Sequence, residues 1–117
     1  NLSTYTSIFD NPQRSEIFRL MADVYFKLGK NVEANTFYAQ ALDRHPANWK
    51  AWLKWAYFCD KMFKSGTHDI EWLIKAITCY LHGINDKVTK NRLILARVIR
   101  LMSFETDTHT IYKRIEK

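Results

Sequence analysis

Small and aromatic residues recur between residues 15 and 84 at the spacing of paired antiparallel helices. In the first stretch they are Ala22, Tyr25, Gly29, Ala34, Tyr38, Ala41 and Pro46. Two helices joined by a tight turn approach closely only where the facing side chains are small, which gives the three alanines one shared role. Tyr25 and Tyr38 then fill the wedge between pairs. The beat returns as Ala76, Tyr80 and Gly83. The interval from Ala34 to Ala76 exceeds the usual repeat of about 34 residues, and the excess falls near Ser65. A helix pair of this kind cannot bury its apolar face alone and needs stacked neighbours. The chain starts at Asn1 and stops inside a helix-like run, Thr110 to Lys117, so both ends read as cut from something larger.

Local signals place the helices. Residues 1–9 lack a helical period and read as an extended lead-in. Asp10 or Asn11 caps a first helix over about 12–28, with Pro12 near its first position. Its apolar stripe is Ile17, Leu20, Met21, Val24, Tyr25 and Leu28, and Gly29 ends it through the left-handed cap conformation. A second helix covers about 31–44 and stops at Pro46. A third, about 48–63, carries Trp49, Trp52, Leu53, Trp55, Ala56, Cys59, Met62 and Phe63, apolar over more than half its circumference, as in a helix packed between neighbours. Lys64 to His68 reads as a polar loop. Helices over about 69–84, 89–104 and 108–117 follow, the fifth with a stripe of Val88, Leu95, Ile99 and Met102. No strand alternation competes. The expected fold is therefore all-α, a tetratricopeptide-like antiparallel helix-pair solenoid forming part of one domain over 1–117, with Tyr25, Ala34, Tyr38 and Trp52 buried.

Composition excludes several classes. A hydrophobic fraction of 47%, with three Gly and two Pro, is too rich in core formers for a disordered chain. No run approaches the roughly 18–20 apolar residues of a membrane span, and no signal-peptide stretch opens the chain. Cys59 and Cys79 fall on apolar helix faces and read as small buried thiols in a reducing compartment. The net charge of +6 raises nucleic acid as a partner. The basic residues are scattered over every helix, so a solvated surface is expected, with no direct specific nucleic-acid binding.

Candidate chemistry is sparse. Cys59, His68, Cys79 and His82 are the set closest to metal ligands, but zinc wants four convergent donors on close pairs, and here the first pair straddles a loop. No nucleophile has a base motif, and no glycine-rich phosphate loop occurs. Asp23, Glu33, Asp43, Asp60 and Glu71 fall largely on polar faces. A carboxylate clamp could use Arg19 and Lys54, but Asp23 beside them would repel the ligand. Trp49, Trp52 and Trp55 could form a stacking platform or simply core; core is expected. The sequence thus names no catalytic, cofactor-binding or metal residue and calls for no cofactor.

From Ala76 onward the pattern narrows. Ala76-Ile77-Thr78-Cys79-Tyr80-Leu81-His82, the run Leu95 to Phe104, and Lys50-Ala51-Trp52 with Trp55 resemble the FAT domain of TRRAP-like pseudokinases, a branch of the phosphatidylinositol-3-kinase-related kinase family. The resemblance covers roughly residues 16–110. It departs at Arg100, where the relatives carry Trp, at Glu105-Thr106-Asp107 and in the loop at Lys64 to His68. It implies a non-catalytic scaffold segment in a large nuclear subunit of SAGA-type histone acetyltransferase coactivator complexes acting on chromatin. Partners would be the complex's protein subunits and the remainder of the same polypeptide, with no membrane. No family residue with a catalytic or ligand role maps onto this segment. The alternatives are a FAT segment of an active related kinase and a half-repeat scaffold of RNA processing, which residues 52–58 also resemble.

Overall fold

The computed structural model describes residues 10–66, 69–85, 87 and 90–103. Their regular structure is entirely helical: α1 (Asn11–Lys27), α2 (Asn31–Arg44), α3 (Trp49–Ser65), α4 (Ile70–Gly83) and α5 (Asn91–Met102). The lead-in, His68, Val88 and the sixth helix expected over 108–117 lie outside the described residues. The chain forms two compact units that divide between Trp55 and Ala56, inside α3.

In the first unit, α1 begins with a reciprocal cap. The Asp10 carboxylate accepts from the Gln13 N–H at 2.9 Å, and the Gln13 side chain accepts from the Asp10 N–H at 3.1 Å, so two donors that helix geometry would orphan are satisfied. The helix closes through Gly29, whose φ of 77° any side chain would strain. The Lys30 N–H then reaches the Tyr25 carbonyl at 2.9 Å and the Gly29 N–H that of Phe26 at 3.0 Å, the paired bonds of a Schellman turn. The turn sends α2 back along α1. Ala22, Ala34 and Ala41 are wholly buried at that crossing, with Tyr38 beside them. Phe37 inserts between Phe18 and Tyr25, its ring stacked at 5.9 and 5.4 Å.

The inward face of α1 differs from the expected stripe. Ser15 and Ala22 are its buried residues, while Leu20, Val24 and Leu28 are 53%, 55% and 64% exposed. Close approach explains this. The Ser15 hydroxyl donates to the Ala41 carbonyl at 2.6 Å, and no leucine could stand at that separation. Tyr25 and Trp52 are half-buried rather than buried.

In the second unit, α4 is the most deeply seated element. Leu73, Ile74, Ala76, Ile77, Cys79, Tyr80 and Gly83 are all buried. Phe58 of α3 is wholly buried and meets the edge of Trp72 at 5.9 Å. α5 contributes Ile94, Val98 and Leu101, one position out of phase with the expected stripe; Leu95 and Ile99 are exposed. Apolar residues cover so much of Leu93 to Met102 that two adjacent i, i+4, i+7 rows fit equally well, and periodicity alone cannot choose between them. Lys64 and Ser65 belong to the last turn of α3, not to a loop; the Ser65 hydroxyl bonds back to the Lys61 carbonyl at 2.7 Å.

Candidate functional site

Two charged clusters are built by the helices, one in each unit. In the first, Arg19 of α1 sits between two acids of its own helix. Its guanidinium reaches Glu16 at 2.8 Å and Asp23 at 3.1 Å, one turn away on either side, where i, i+3 and i, i+4 neighbours meet. Hydrogen bonding from Arg19 holds the Glu16 carboxyl below its ordinary range, against the opposing cost of burial. Glu16 reciprocally raises the Arg19 guanidinium. Asp23 also accepts from the Tyr38 hydroxyl of α2 and lies 4.0 Å from the Lys54 ammonium of α3. The structure therefore brings together Arg19, Asp23 and Lys54, the residues weighed as a carboxylate clamp. Two donors, Arg19 and Tyr38, and the more distant Lys54 ammonium converge on one carboxylate, but the carboxylate is the chain's own Asp23. The cluster is a closed knot between helices.

A buried polar line ties the same unit to the start of α3. The Asn48 amide donates to the Ser15 hydroxyl at 2.8 Å and to Glu16 at 3.0 Å, and its carbonyl caps the Ala51 N–H at 3.2 Å. The tryptophans are anchors rather than a platform. Trp55 is buried and donates to Asn35 at 2.9 Å. Trp52 donates to the Pro46 carbonyl at 2.8 Å, and the two indoles stack at 6.3 Å.

The second cluster is open. Tyr57, Asp60, Lys61 and Lys64 of α3 and Arg97 and Arg100 of α5 line a pocket of about 170 Å³. Asp60 is buried in it. One of its oxygens accepts from the Tyr80 hydroxyl at 3.2 Å. The other lies 3.1 Å from the Lys64 ammonium, an ion pair whose geometry leaves that oxygen without a hydrogen bond. Burial, and then the Asp60 charge, push the Tyr80 hydroxyl well above its usual range, while Arg97 pulls it back. Tyr57, Lys61, Lys64, Arg97 and Arg100 are exposed, so four cations surround one neutralised carboxylate. This clustering corrects the expectation of scattered basic residues. Its signal lies in the sequence: Tyr57, Lys61, Lys64 and Leu93, Arg97, Arg100 share one i, i+4, i+7 spacing, but pairing the two rows needs the fold.

The set resembling metal ligands does not assemble among the described residues. Cys59 and Cys79 are both buried. A hydrogen bond with Cys79, reinforced by burial, drives the Cys59 thiol far above the range in which a thiolate forms, so it is inert as a nucleophile. His82 is exposed and its Nδ1 lies 2.8 Å from the Thr78 carbonyl. No group of three or more metal-ligating side chains occurs among the described residues, and no described helix is long and apolar enough to cross a membrane.

Comparison with known proteins adds what the geometry leaves open. The profile of the FAT domain matches residues 2–100. The Transformation/transcription domain-associated proteins of Mus musculus and Homo sapiens are each 29% identical to this chain over 116 residues, which is 98% of the chain. The SAGA complex/NuA4 acetyltransferase complex subunit Tra1 of Schizosaccharomyces pombe is 32% identical over 115 residues, 97% of the chain. The chain spans only 3–4% of the length of these relatives. No solved structure matches it.

Proposed function

The chain belongs to the FAT domain family, and from that premise we propose that it is a non-catalytic scaffold segment of a transcription-associated subunit in SAGA- or NuA4-type histone acetyltransferase assemblies. The names of the relatives support the assembly. The structural observation that carries the scaffold reading is the row Leu20, Val24 and Leu28. These residues stand on one side of α1, more than half exposed, while the opposite side is spent on α2. Burying a leucine or valine side chain is worth about 1.5–3 kcal/mol, so an open row of three favours a covering neighbour. In a helix-pair array the neighbour is the next pair, here the remainder of the same polypeptide.

The interior chemistry of the segment serves the helices themselves. Arg19, Asp23, Tyr38 and Asn48 tie elements together, and the two thiols are buried. Work on chromatin would place the protein in the nucleus, with the complex's other subunits as its partners. The test is affinity purification of the full-length protein, followed by identification of the co-eluting chains and assays for histone acetylation and for intrinsic kinase activity. The reading predicts acetyltransferase subunits and acetylation of core histones in the eluate, with no phosphoryl transfer by the protein itself. Intrinsic phosphoryl transfer would favour an active kinase of the wider family, and co-eluting RNA-processing factors without an acetyltransferase would favour the RNA scaffold.

A further inference from the structure

We propose that the pocket between α3 and α5 in the second unit is a binding site for a phosphate monoester carried on a serine or threonine of a partner protein. The inference stands on the pocket itself and goes beyond the assembly reading. Lys61, Lys64, Arg97 and Arg100 converge on a single cavity of about 170 Å³. That is below the roughly 300–1,000 Å³ of sites for drug-sized ligands, and it suits one compact anion. Asp60 on its wall is already matched by Lys64 and Tyr80, which leaves an excess of positive charge at the opening.

The number and kind of donors select the anion. A phosphate monoester carries about −1.5 to −2 charges and three acceptor oxygens. A carboxylate offers one charge and two oxygens, too few for the three cations that Asp60 leaves unmatched. Arg97 and Arg100, three residues apart on α5, present planar forks that suit the tetrahedral face of a phosphate. Phosphodiesters of a nucleic acid spread single charges along a track, whereas these cations line one small pocket. The residues that precede the cations on each helix point to a protein as the carrier. Tyr57 precedes Lys61 by one turn on α3, its ring 5.2 Å from the Lys61 ammonium. Leu93 precedes Arg97 by one turn on α5 and is 56% exposed. Tyr57 lines the pocket itself and Leu93 lies one turn before Arg97, so the residues beside a phosphorylated side chain have an aromatic ring and an exposed leucine to rest on.

The experiment is fluorescence anisotropy on the full-length protein with labelled Gly-Leu-Ala-phosphoserine-Ala-Leu-Gly. The phosphorylated peptide should bind at least about tenfold more tightly than its serine or glutamate counterpart, as the charge-assisted bonds at stake imply. Arg97→Gln with Arg100→Gln should weaken it by about tenfold or more, while Lys90→Gln, outside the pocket, should not. Both arginines are exposed, and unchanged amide exchange in α5 would show that the fold survives. Inorganic phosphate should compete, but more weakly than the peptide. Equal binding of the glutamate peptide would make the site one for acidic segments. Competition by a single-stranded oligonucleotide at lower concentration than the peptide would make it one for nucleic acid. Inorganic phosphate binding as tightly as the peptide would remove the protein carrier. Each of these, or phosphopeptide binding indifferent to the arginine variants, overturns the proposal.

Discussion

The two units solve the same packing problem with different materials. The first closes its helices with polar ties: Ser15 on the Ala41 carbonyl, Asn48 on Ser15 and Glu16, Tyr38 and Arg19 on Asp23, and two indoles on Asn35 and Pro46. The second closes around aliphatic and aromatic side chains, with α4 buried along most of its length and Phe58 enclosed beside it. Charge follows the same division. In the first unit Glu16 and Asp23 neutralise Arg19. In the second, one buried aspartate answers four cations at a pocket. The contrast shows how one repeat architecture can fix geometry in one place and leave electrostatic capacity unspent in another. In the first unit a directional bond, Ser15 to the Ala41 carbonyl, joins the small alanines at the helix crossing, whereas the buried side chains of α4 in the second unit are mostly apolar.

Truncating the second unit's core should have the largest effect. Phe58→Ala leaves a cavity and should cost about 3–5 kcal/mol, read as lost protection of α3 and α4 amides in native-state exchange of the full-length protein. Asn48→Ala probes the first unit. It removes the cap on α3 and a donor to Ser15, and should cost about 1–3 kcal/mol, seen as faster exchange at the start of α3. A larger loss from Asn48→Ala than from Phe58→Ala would break the comparison, since polar ties would then outweigh apolar volume.

Glu16→Gln sharpens it with the smallest effect. The Glu16 carboxyl is held below its ordinary value of 4.5 by Arg19, so the ion pair adds stability that is full above that value and is lost as pH falls through the lower, folded-state value. The pair is partly exposed, so screening keeps its contribution modest. The protection gap in α1 between native protein and variant should therefore be visible at neutral pH and close in acid. A gap independent of pH would mean that Glu16 acts through packing rather than through charge.

Much of the fold is legible in the amino-acid sequence alone. Gly29 marks a left-handed helix end, Asp10 marks a cap, and the alanines at 22, 34 and 41 mark a close crossing, because each depends on local sterics. The family resemblance rests on the run Ala76 to His82 and on the tryptophan helix. Rotational phase is what the sequence leaves open. On α1 the buried set is chosen by a serine–carbonyl bond across 26 residues, which no hydropathy stripe anticipates. On α5 the apolar surface is too wide to choose between two rows. The basic pocket stays hidden for a related reason. Its two rows lie on separate helices, and the rotation of α5 decides whether Arg97 and Arg100 meet Lys61 and Lys64.

Membership of this segment in a larger frame rests on the open row of α1, so that row is where it is most directly tested. Hydroxyl-radical footprinting of the purified full-length protein would measure the oxidation rates of Leu20, Val24 and Leu28 against the same residues in the denatured chain. Strong protection of all three is expected, because a neighbouring helix pair of the same polypeptide covers them. Oxidation at the denatured rate would show the row open to solvent in the assembled protein and would contradict the scaffold reading.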